Sequence, residues 1–341
     1  MMRRIACIDI GTVTARLAVA DVEGGRVVRL AKHSEICNLG ENVDQTGELK
    51  QEAMERVFLC ARGYVESARE AKAEVVCCTL TSAARDARNA RELGAALGSI
   101  GLEPVIIPGE LEGTLTFLGV AQDFRGKRIL VADNGGGSTE LALGSLGTDG
   151  AFDLGFVTSV DVGCRRVTEK YLSAGPLPSA DDLAAAHEFA ASAFRGAVER
   201  GGLRAAKSAR SDKDAPAAPE ELVVCGGTVT SLVAIDARLD PYDPARVHLA
   251  TLSRSRVEEL EALLASLTVE ERAALPGLQE KRAPVMLGGA VAVAELMRQT
   301  GFERLVVSES DLLFGLALAA AAELCGVESP VVWKPALRPL R

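Results

Sequence analysis

A glycine-rich loop at residues 135–139 combines residue types that bind an anion with neighbours that bind a divalent cation. Its three consecutive glycines let the backbone turn sharply, and without β-carbons the successive N–H groups can converge on an anion. Asp133 and Glu140 flank the loop with carboxylates, which suit Mg²⁺, a hard cation that prefers oxygen ligands. Glycine runs are also common in plain hairpin turns, so the loop alone leaves both interpretations open. The candidate phosphate-binding residues of this loop are Gly135, Gly136, Gly137, Ser138 and Thr139.

The same layout occurs near the N-terminus, where residues 5–21 pass from an apolar strand through a small-residue turn into a second apolar run. Asp9 precedes this turn, and the candidate phosphate-binding residues are Gly11, Thr12 and Thr14. Two such hairpins a domain apart indicate two similar halves, each offering a phosphate loop to a shared cleft. The recurrence favours phosphate binding over two unrelated turns.

Two further segments carry charged side chains just beyond predicted strands. Arg85 stands one helical turn after two hydroxyl residues, past the strand predicted at 74–80, and ligands bind at that edge of open α/β sheets. We therefore interpret Arg85 as a phosphate contact and Arg88 as part of a solvated helix face. Glu110 and Glu112 open the helix that follows the next strand, where carboxylates stabilise the positive end of the helix dipole. One of these glutamates could instead point into the cleft.

Apolar periodicity predicts an α/β fold that positions these residues. Residues 205–221 are interpreted as an exposed, mobile connection inside a domain, and 327–341 as a tail without its own core. Besides the two hairpins, strands are predicted at 27–36, 74–80, 104–107, 152–162, 222–225 and 305–308. The main helices are predicted at 54–65, 93–100, 183–198 and 283–298. Helix N-caps are predicted at Asn89, Ser179, Ser255, Thr268 and Ser310.

Length and composition indicate a globular protein of 341 residues with two domains. The net charge of −9 argues against broad nucleic-acid binding, which needs a basic surface. The apolar runs are interrupted before they could span a bilayer, and the N-terminus lacks a signal-peptide pattern, so we expect a cytoplasmic protein without a membrane partner. The eight cysteines have no metal-ligand spacing to the three histidines and are expected to be reduced core residues.

The order of these motifs resembles that of the exopolyphosphatase and guanosine pentaphosphate phosphohydrolase (Ppx/GppA) family, within the superfamily of actin, sugar kinases and Hsp70. The resemblance runs from about residue 5 to residue 324 and is strongest at Asp133-x-Gly-Gly-Gly-Ser-Thr-Glu140. It implies two actin-like (ribonuclease H-like) α/β lobes with an interdomain cleft. We place domain I at 1–124, domain II at 125–326, with a final helix that could pack back on domain I, and a tail at 327–341. The chain resembles a short form without the C-terminal HD-type domain of longer members.

The resemblance implies hydrolysis of a terminal phosphoanhydride, with inorganic polyphosphate as substrate. Aligned with the family's motifs, Glu112 is the catalytic base, Glu140 is a second catalytic residue and Arg85 contacts phosphate. Mg²⁺, or another divalent cation, would be held by Asp133 and Glu140 together with Asp9. The alternatives are a guanosine pentaphosphate 5′-phosphohydrolase, an ATP-dependent kinase of the same superfamily, and a phosphate sensor without turnover. The retained Glu112 favours hydrolysis, and a homodimer stays open.

Several positions depart from the family's usual pattern. The departures remove polar contacts around the cleft, and together with the acidic net charge they predict a preference for short polyphosphates. They are Val13-Thr14 for Asn-Ser, Asn38 for an arginine before Leu-Gly-Glu, Asn42 for a glycine after it, and Leu111 and Thr114 for a glutamate and an arginine beside Glu112.

Overall fold

The computed structural model describes residues 2–205 and 218–340 of the chain. The predicted mobile connection at 205–221 lies mostly outside the described residues. The chain divides into two compact units, Met1–Gly119 with Leu312–Arg341, and Val120–Asp311. The predicted domains were 1–124 and 125–326, with a final helix that could pack back on domain I, and that helix belongs to the first unit.

The first unit contains a sheet of strand order β12-β4-β1-β2-β3, with β5 also paired to β4. Strand β1 lies between β2, its antiparallel hairpin partner, and β4, to which it is parallel. The two-residue β12 pairs with β4, so the C-terminal segment predicted as a tail without a core adds a strand to this sheet. The strands are β1 (Arg3–Ile10), β2 (Thr14–Glu23), β3 (Arg26–Ile36), β4 (Val75–Leu80), β5 (Pro104–Ile106) and β12 (Arg338–Pro339).

The helices of the first unit cover this sheet. The long α2 buries Met54, Val57, Ala61 and Val65, as their helical spacing predicts. The apolar α13 packs against β1, β2 and β3. The helices are α1 (Val43–Thr46), α2 (Gln51–Glu70), α3 (Ser82–Asp86), α4 (Ala90–Ser99), α5 (Gly109–Val120) and α13 (Leu312–Cys325).

The second unit contains a sheet of strand order β10-β11-β9-β6-β7-β8. Strand β6 is antiparallel to β7 and parallel to β9, as β1 is to β2 and β4. The path β9-β6-β7-β8 therefore repeats the path β4-β1-β2-β3, which confirms the prediction of two similar halves. The strands are β6 (Arg128–Asn134), β7 (Thr139–Leu146), β8 (Phe152–Val160), β9 (Glu221–Cys225), β10 (Thr251–Ser253) and β11 (Arg304–Val307).

The helices of the second unit surround α12, which is buried along most of its length. Helices α6, α7, α8, α10 and α11 all contact it. None of the helices in the described part of the chain combines the length and apolar character needed to cross a membrane. The helices are α6 (Cys164–Val167), α7 (Ala180–Gly201), α8 (Gly227–Asp236), α9 (Pro244–Val247), α10 (Arg254–Ala265), α11 (Val269–Ala273) and α12 (Ala283–Thr300). Single turns of 3₁₀- or π-helix lie at Ala121–Asp123, Thr168–Leu172 and Glu280–Arg282.

Two of the predicted N-caps bond their helix through the side chain, and one prediction is shifted. Ser179 and Thr268 each form a capping box at the start of α7 and α11. Ser253 caps α10 by accepting the Arg256 N–H, so the prediction of Ser255 was wrong by two residues. The hydroxyl of Ser255 bonds that of Ser253 instead.

Asn89 is the N-cap residue of α4, as predicted, but its side chain makes no capping hydrogen bond. The prediction of Ser310 as an N-cap was wrong, and tertiary partners bind the side chains of both residues. The Asn89 amide bonds both backbone groups of Leu49, accepting its N–H at 2.8 Å and donating to its carbonyl at 3.0 Å. Ser310 donates its hydroxyl to Asp123 at 2.7 Å, and α13 begins two residues further on. Both side chains therefore bond residues that are distant in the sequence, and neither caps the N–H groups at the start of a helix.

Candidate active site

Both predicted phosphate loops close with the same backbone hydrogen bond. In the first unit the Gly11 N–H donates to the Thr14 carbonyl at 2.9 Å, and in the second the Gly135 N–H donates to the Ser138 carbonyl at 3.0 Å. A β-carbon at Gly135 would lie 3.2 Å from that carbonyl oxygen, so glycine fits the tight turn best. The two sequence motifs thus fold into the same turn.

Three successive carbonyls of the second loop accept hydrogen bonds from the first residues of α6. Gly163 packs directly on the loop, because a β-carbon there would lie 2.5 Å from the Gly136 carbonyl oxygen. Burial lowers the pKa of the Arg166 guanidinium, which lies against the loop. The carbonyls of Gly135, Gly136 and Gly137 accept, in this order, the Cys164 N–H at 3.0 Å, the Arg165 N–H at 2.8 Å and the Arg166 Nε–H at 2.7 Å.

This arrangement orients the N–H groups of the loop. In a planar trans peptide the N–H points opposite to the carbonyl of the same unit. Because three successive carbonyls point toward α6, the N–H groups of Gly136, Gly137 and Ser138 point away from it. Successive N–H groups directed to one side form an anion-binding concavity. The second loop therefore has the backbone geometry of a phosphate site.

The first loop is supported in the same way by the segment after β3. The Thr12 carbonyl accepts the Gly40 N–H at 2.8 Å. The Val13 carbonyl accepts the N–H groups of Cys37 and Asn38 at 2.9 and 2.8 Å. By the same reasoning the N–H groups of Val13 and Thr14 point away from this segment.

Two of the departures from the family pattern lie in that supporting segment, and backbone geometry accounts for one of them. Asn42 has a φ of 60° and Asn38 a φ of 53°. Only glycine adopts this left-handed region freely, and asparagine is among the few other residues that enter it with modest strain. Asn42 is therefore compatible with the left-handed backbone that a glycine adopts freely, whereas Asn38, unlike an arginine, carries no positive charge.

Asp133 and Glu140 are direct cross-strand partners on β6 and β7, so their side chains share one face of the sheet. Both are buried. Glu140 accepts the Ser138 and Ser159 hydroxyls on the same oxygen, Oε1, at 2.8 and 2.7 Å. The structure thus brings together two predicted cation ligands and the Ser138 hydroxyl.

The Thr139 hydroxyl does not belong to this group. Successive strand residues point to opposite faces, so Thr139 pairs with Asn134 on the other side of the sheet. Its Oγ1 accepts the Asn134 amide at 3.0 Å and donates to the Val162 carbonyl. The prediction of Thr139 as a phosphate contact is therefore wrong for its side chain, which supports the loop from the interior.

The buried Asp9 carboxylate accepts hydrogen bonds from an arginine and a threonine. The Arg16 guanidinium donates to Asp9 Oδ2 from Nη2 at 2.6 Å and from Nε at 3.1 Å. The Thr79 hydroxyl donates to Oδ1 at 3.2 Å. Within residues 2–205 and 218–340, no group of three or more His, Cys, Asp or Glu side chains is arranged to hold a metal ion.

Arg85 and Glu112, predicted separately as phosphate contact and base, form an ion pair of 2.6 Å. Arg85 Nη1 also donates to the Ile107 carbonyl at 3.0 Å, which fixes the guanidinium where β5 leads into α5. Glu112 is buried near the start of α5. The ion pair joins positions 27 residues apart in the sequence, so motif spacing alone does not predict it.

Sequence reasoning missed Arg16 and Arg166. Arg16 follows Asp9 by seven residues, which is the spacing of cross-strand partners on either side of this turn, as Asp133 and Glu140 show. That regularity could have identified Arg16 once both hairpins were aligned. Arg166 has no comparable signal, because its contact with the loop depends on how α6 packs.

Comparison with known proteins places the chain in one class, the Ppx/GppA phosphatases. The chain matches the model of the Ppx/GppA phosphatase family over residues 18–319. It is 33% identical over 338 residues to exopolyphosphatase 2 of Mycobacterium tuberculosis, covering 94% of this chain and 99% of that protein. A guanosine-5′-triphosphate,3′-diphosphate pyrophosphatase of Photobacterium profundum is 33% identical over 186 residues, which are 52% of this chain and 36% of that protein.

Among solved structures, that of the Aquifex aeolicus Ppx/GppA family member is similar with a TM-score of 0.75 at 26% identity, covering 96% of this chain and all of that one. The chain therefore belongs to the Ppx/GppA phosphatase family. This membership confirms the resemblance of its motifs and the predicted fold class.

Proposed function

We propose that the protein is an exopolyphosphatase, which releases the terminal orthophosphate of inorganic polyphosphate by Mg²⁺-assisted hydrolysis and favours short chains. The mycobacterial relative of that name aligns over nearly the whole length of both proteins. The relative named guanosine-5′-triphosphate,3′-diphosphate pyrophosphatase aligns over about half of this chain, so it gives less support to the alternative.

The observation that carries the proposal is the second loop, where outward N–H groups adjoin two buried carboxylates. N–H groups bind phosphate oxygens, whereas carboxylates repel them. A loop that has both N–H groups and carboxylates can therefore bind a phosphate that is accompanied by a cation. The terminal unit of a polyphosphate chain with its counter-ion is such a ligand.

The residues present fit a divalent cation at Asp133 and Glu140. Mg²⁺ is usually held by one or two carboxylates, with phosphate and water oxygens completing its shell. We assign the ion to these two carboxylates and not to Asp9, because Arg16 already neutralises Asp9. When bound, the cation would offset charge on the substrate's phosphate oxygens.

Glu112 acts in this proposal as the general base. It takes a proton from water, the water oxygen bonds to the terminal phosphorus, and the bridging P–O bond to the rest of the chain breaks. Arg85 holds the Glu112 carboxylate and directs charge toward phosphate oxygens, and the outward N–H groups of the second loop bind phosphate oxygens. Positioning and electrostatic stabilisation supply most of the acceleration in phosphoryl transfer.

A substrate panel tests the proposal. The protein is incubated with Mg²⁺ and, separately, with short polyphosphate, long polyphosphate, guanosine pentaphosphate or ATP, and orthophosphate is measured. We expect the fastest release from short polyphosphate, and its loss in Glu112→Gln. Glu110→Gln, on the exposed side of the same helical turn, is the matched control and should keep the parent rate. Release from guanosine pentaphosphate alone would contradict the proposal and identify the alternative substrate.

A further inference from the structure

Two cysteine side chains meet between helix α2 and the strands that carry the first loop. All eight cysteines lie in the described part of the chain, and none of them forms a disulfide there. Cys37 is buried just after β3, whereas Cys60 on α2 is partly exposed and packs against the same core. The two thiols form a hydrogen bond with each other. The first unit therefore holds a pair of neighbouring thiols with one member accessible to solvent.

The residues one helical turn before and after Cys60 fix this contact. Arg56 donates from Nε to the Cys37 carbonyl at 2.9 Å. Tyr64 donates its hydroxyl to the Ala15 carbonyl at 3.0 Å. Because residues four apart lie on one face of a helix, Cys60 is held between these two contacts and beside Cys37.

The thiol pair lies next to the backbone that supports the first loop. Ala15 directly follows Thr14, where that loop ends. The Cys37 N–H donates to the Val13 carbonyl at 2.9 Å and so helps to orient the loop. A displacement of Cys37 therefore changes one of the contacts that define the loop's conformation.

We propose that Cys37 and Cys60 are a redox-active dithiol, which a hydroperoxide oxidises to a disulfide that weakens phosphate binding at the first loop. The Cys60 thiolate attacks one peroxide oxygen, the O–O bond breaks, and the other oxygen leaves as water or an alcohol after taking up a proton. The Cys37 sulfur then attacks the Cys60 sulfenic acid, the S–O bond breaks, and water leaves with the Cys37 proton. The two sulfurs thus supply the two electrons that reduce the hydroperoxide.

Exposure gives the two sulfurs different roles. The hydrogen bond with Cys60, followed by burial, raises the pKa of the Cys37 thiol. A buried, protonated thiol reacts poorly with an oxidant in solution, so Cys60 meets the hydroperoxide and Cys37 closes the disulfide. Cys7 and Cys77 are also neighbours, as facing residues on β1 and β4, but both are buried in the sheet and out of reach of an oxidant.

Peptide mapping tests the disulfide. The parent is treated with hydrogen peroxide, the remaining thiols are alkylated in denaturant, and trypsin releases Cys37 in peptide 33–50 and Cys60 in peptide 57–62. Mass spectrometry should find these two peptides linked, and dithiothreitol should separate them, whereas the cysteines of β1 and β4 should be recovered alkylated. Recovery of the two peptides unlinked would overturn the inference.

The effect on phosphate binding rests on the proposed function, whereas the disulfide does not. A covalent S–S bond brings two sulfurs closer than a hydrogen bond does, so oxidation moves Cys37 toward α2. Because a shift of about 1 Å in a positioning group can cost ~100-fold in rate, we expect the KM for tripolyphosphate to rise about tenfold.

Orthophosphate release from tripolyphosphate with Mg²⁺ measures this effect. Oxidation should raise KM in the parent and in Cys325→Ser, a matched control that removes another partly exposed thiol, and dithiothreitol should restore it. Cys60→Ser should keep one KM before and after peroxide. Equal KM values for the linked and the reduced parent, a comparison that needs no variant, would contradict the effect on the loop. No release by the reduced parent would contradict the proposed function instead, and the peptide map would still decide whether the disulfide forms.

Discussion

Glu112 and Arg85 depend on each other for their positions. The 2.6 Å ion pair places the predicted base and the predicted phosphate contact side by side in the first unit. The additional bond from Arg85 to the Ile107 carbonyl ties the pair to the end of β5. A change that breaks the pair at either residue should therefore affect both the orientation of the base and the contact with phosphate.

We predict that Glu112→Gln lowers kcat by about 10²–10⁴-fold, because an amide keeps the shape of the side chain but cannot accept the proton of water. Phosphate binding and the unfolding temperature should change little, since an amide can still accept a hydrogen bond from Arg85. Orthophosphate release and tripolyphosphate binding measure the two effects. A kcat close to that of the parent would show that Glu112 is not the base.

The residue types of the site could be predicted from the sequence, but their partners could not. Motif spacing indicated both phosphate loops and the pair of carboxylates at Asp133 and Glu140. It did not indicate that Asp9 is neutralised by Arg16 or that the Thr139 hydroxyl is buried behind the loop. Those facts depend on strand register and on which face of the sheet each residue occupies, and the register appears only when the strands pair.

At the scale of elements, α6 determines the conformation of the second loop. Its backbone N–H groups and the Arg166 guanidinium bind three successive loop carbonyls, which leaves the loop N–H groups directed to the other side. The close approach requires glycine at position 163. The strand-loop-strand motif was visible in the sequence, whereas this supporting helix was not assigned a role, because a four-residue helix has no periodicity to detect.

We predict that Gly163→Ala impairs the second loop. The new β-carbon would meet backbone atoms of Gly136 and Gly137 at 2.5–2.6 Å, so the loop must shift, at about 1–3 kcal/mol by analogy with overpacked cores. The expected result is a raised KM for polyphosphate and a lower unfolding temperature. Gly98→Ala is the matched control, because a β-carbon there has no neighbour within 4 Å. Equal kinetics for the two variants would show that α6 does not support the loop.

A charged cluster joins helices α7, α10 and α12 in the second unit. His187 bonds Glu261 at 2.8 Å through Nε2 and Glu295 at 2.9 Å through Nδ1. The hydrogen bond to Glu261, followed by that to Glu295, raises the pKa of His187 to about 9. The imidazole is therefore a cation at neutral pH, and Arg298 bonds Glu295 beside it.

This cluster predicts a pH dependence of stability. The folded-state pKa of His187 lies above its ordinary value of 6.5, so its contribution is complete below about pH 6.5 and is lost as the pH rises through about 9. The loss should be of the order of 2–3 kcal/mol. Chemical denaturation between pH 6 and 10 measures it, and His187→Gln should reduce the slope over this interval. Parallel curves for parent and variant would contradict the assignment.

At the scale of the whole molecule, net charge bears on how polyphosphate is held. The chain has a net charge of −9, and Asn38 stands where an arginine is usual in the family. A long polyanion needs a continuous cationic surface to stay bound between successive cuts. We therefore predict distributive hydrolysis, with intermediates at every length on a gel of chain-length standards. Full-length substrate beside free orthophosphate, with nothing between them, would indicate a processive enzyme and contradict the charge argument.

The fold at this scale was predictable because both units repeat one pattern of strands that the sequence shows twice. The division of the chain into two units was harder to predict. Helix α13 follows the second unit in sequence but packs on β1, β2 and β3 of the first. Its apolar surface could pack equally well against the sheet of either unit, so the sequence of the helix does not determine where it lies.

The central claim is that the enzyme removes phosphate from the end of a polyphosphate chain, and ³¹P nuclear magnetic resonance tests it most directly. In a short polyphosphate with Mg²⁺, terminal and internal phosphates give separate signals. The account predicts that orthophosphate rises as the internal signal falls by the same amount, while the terminal signal stays constant until the chains are very short. A terminal signal that grows without orthophosphate, or a spectrum that does not change, would contradict it.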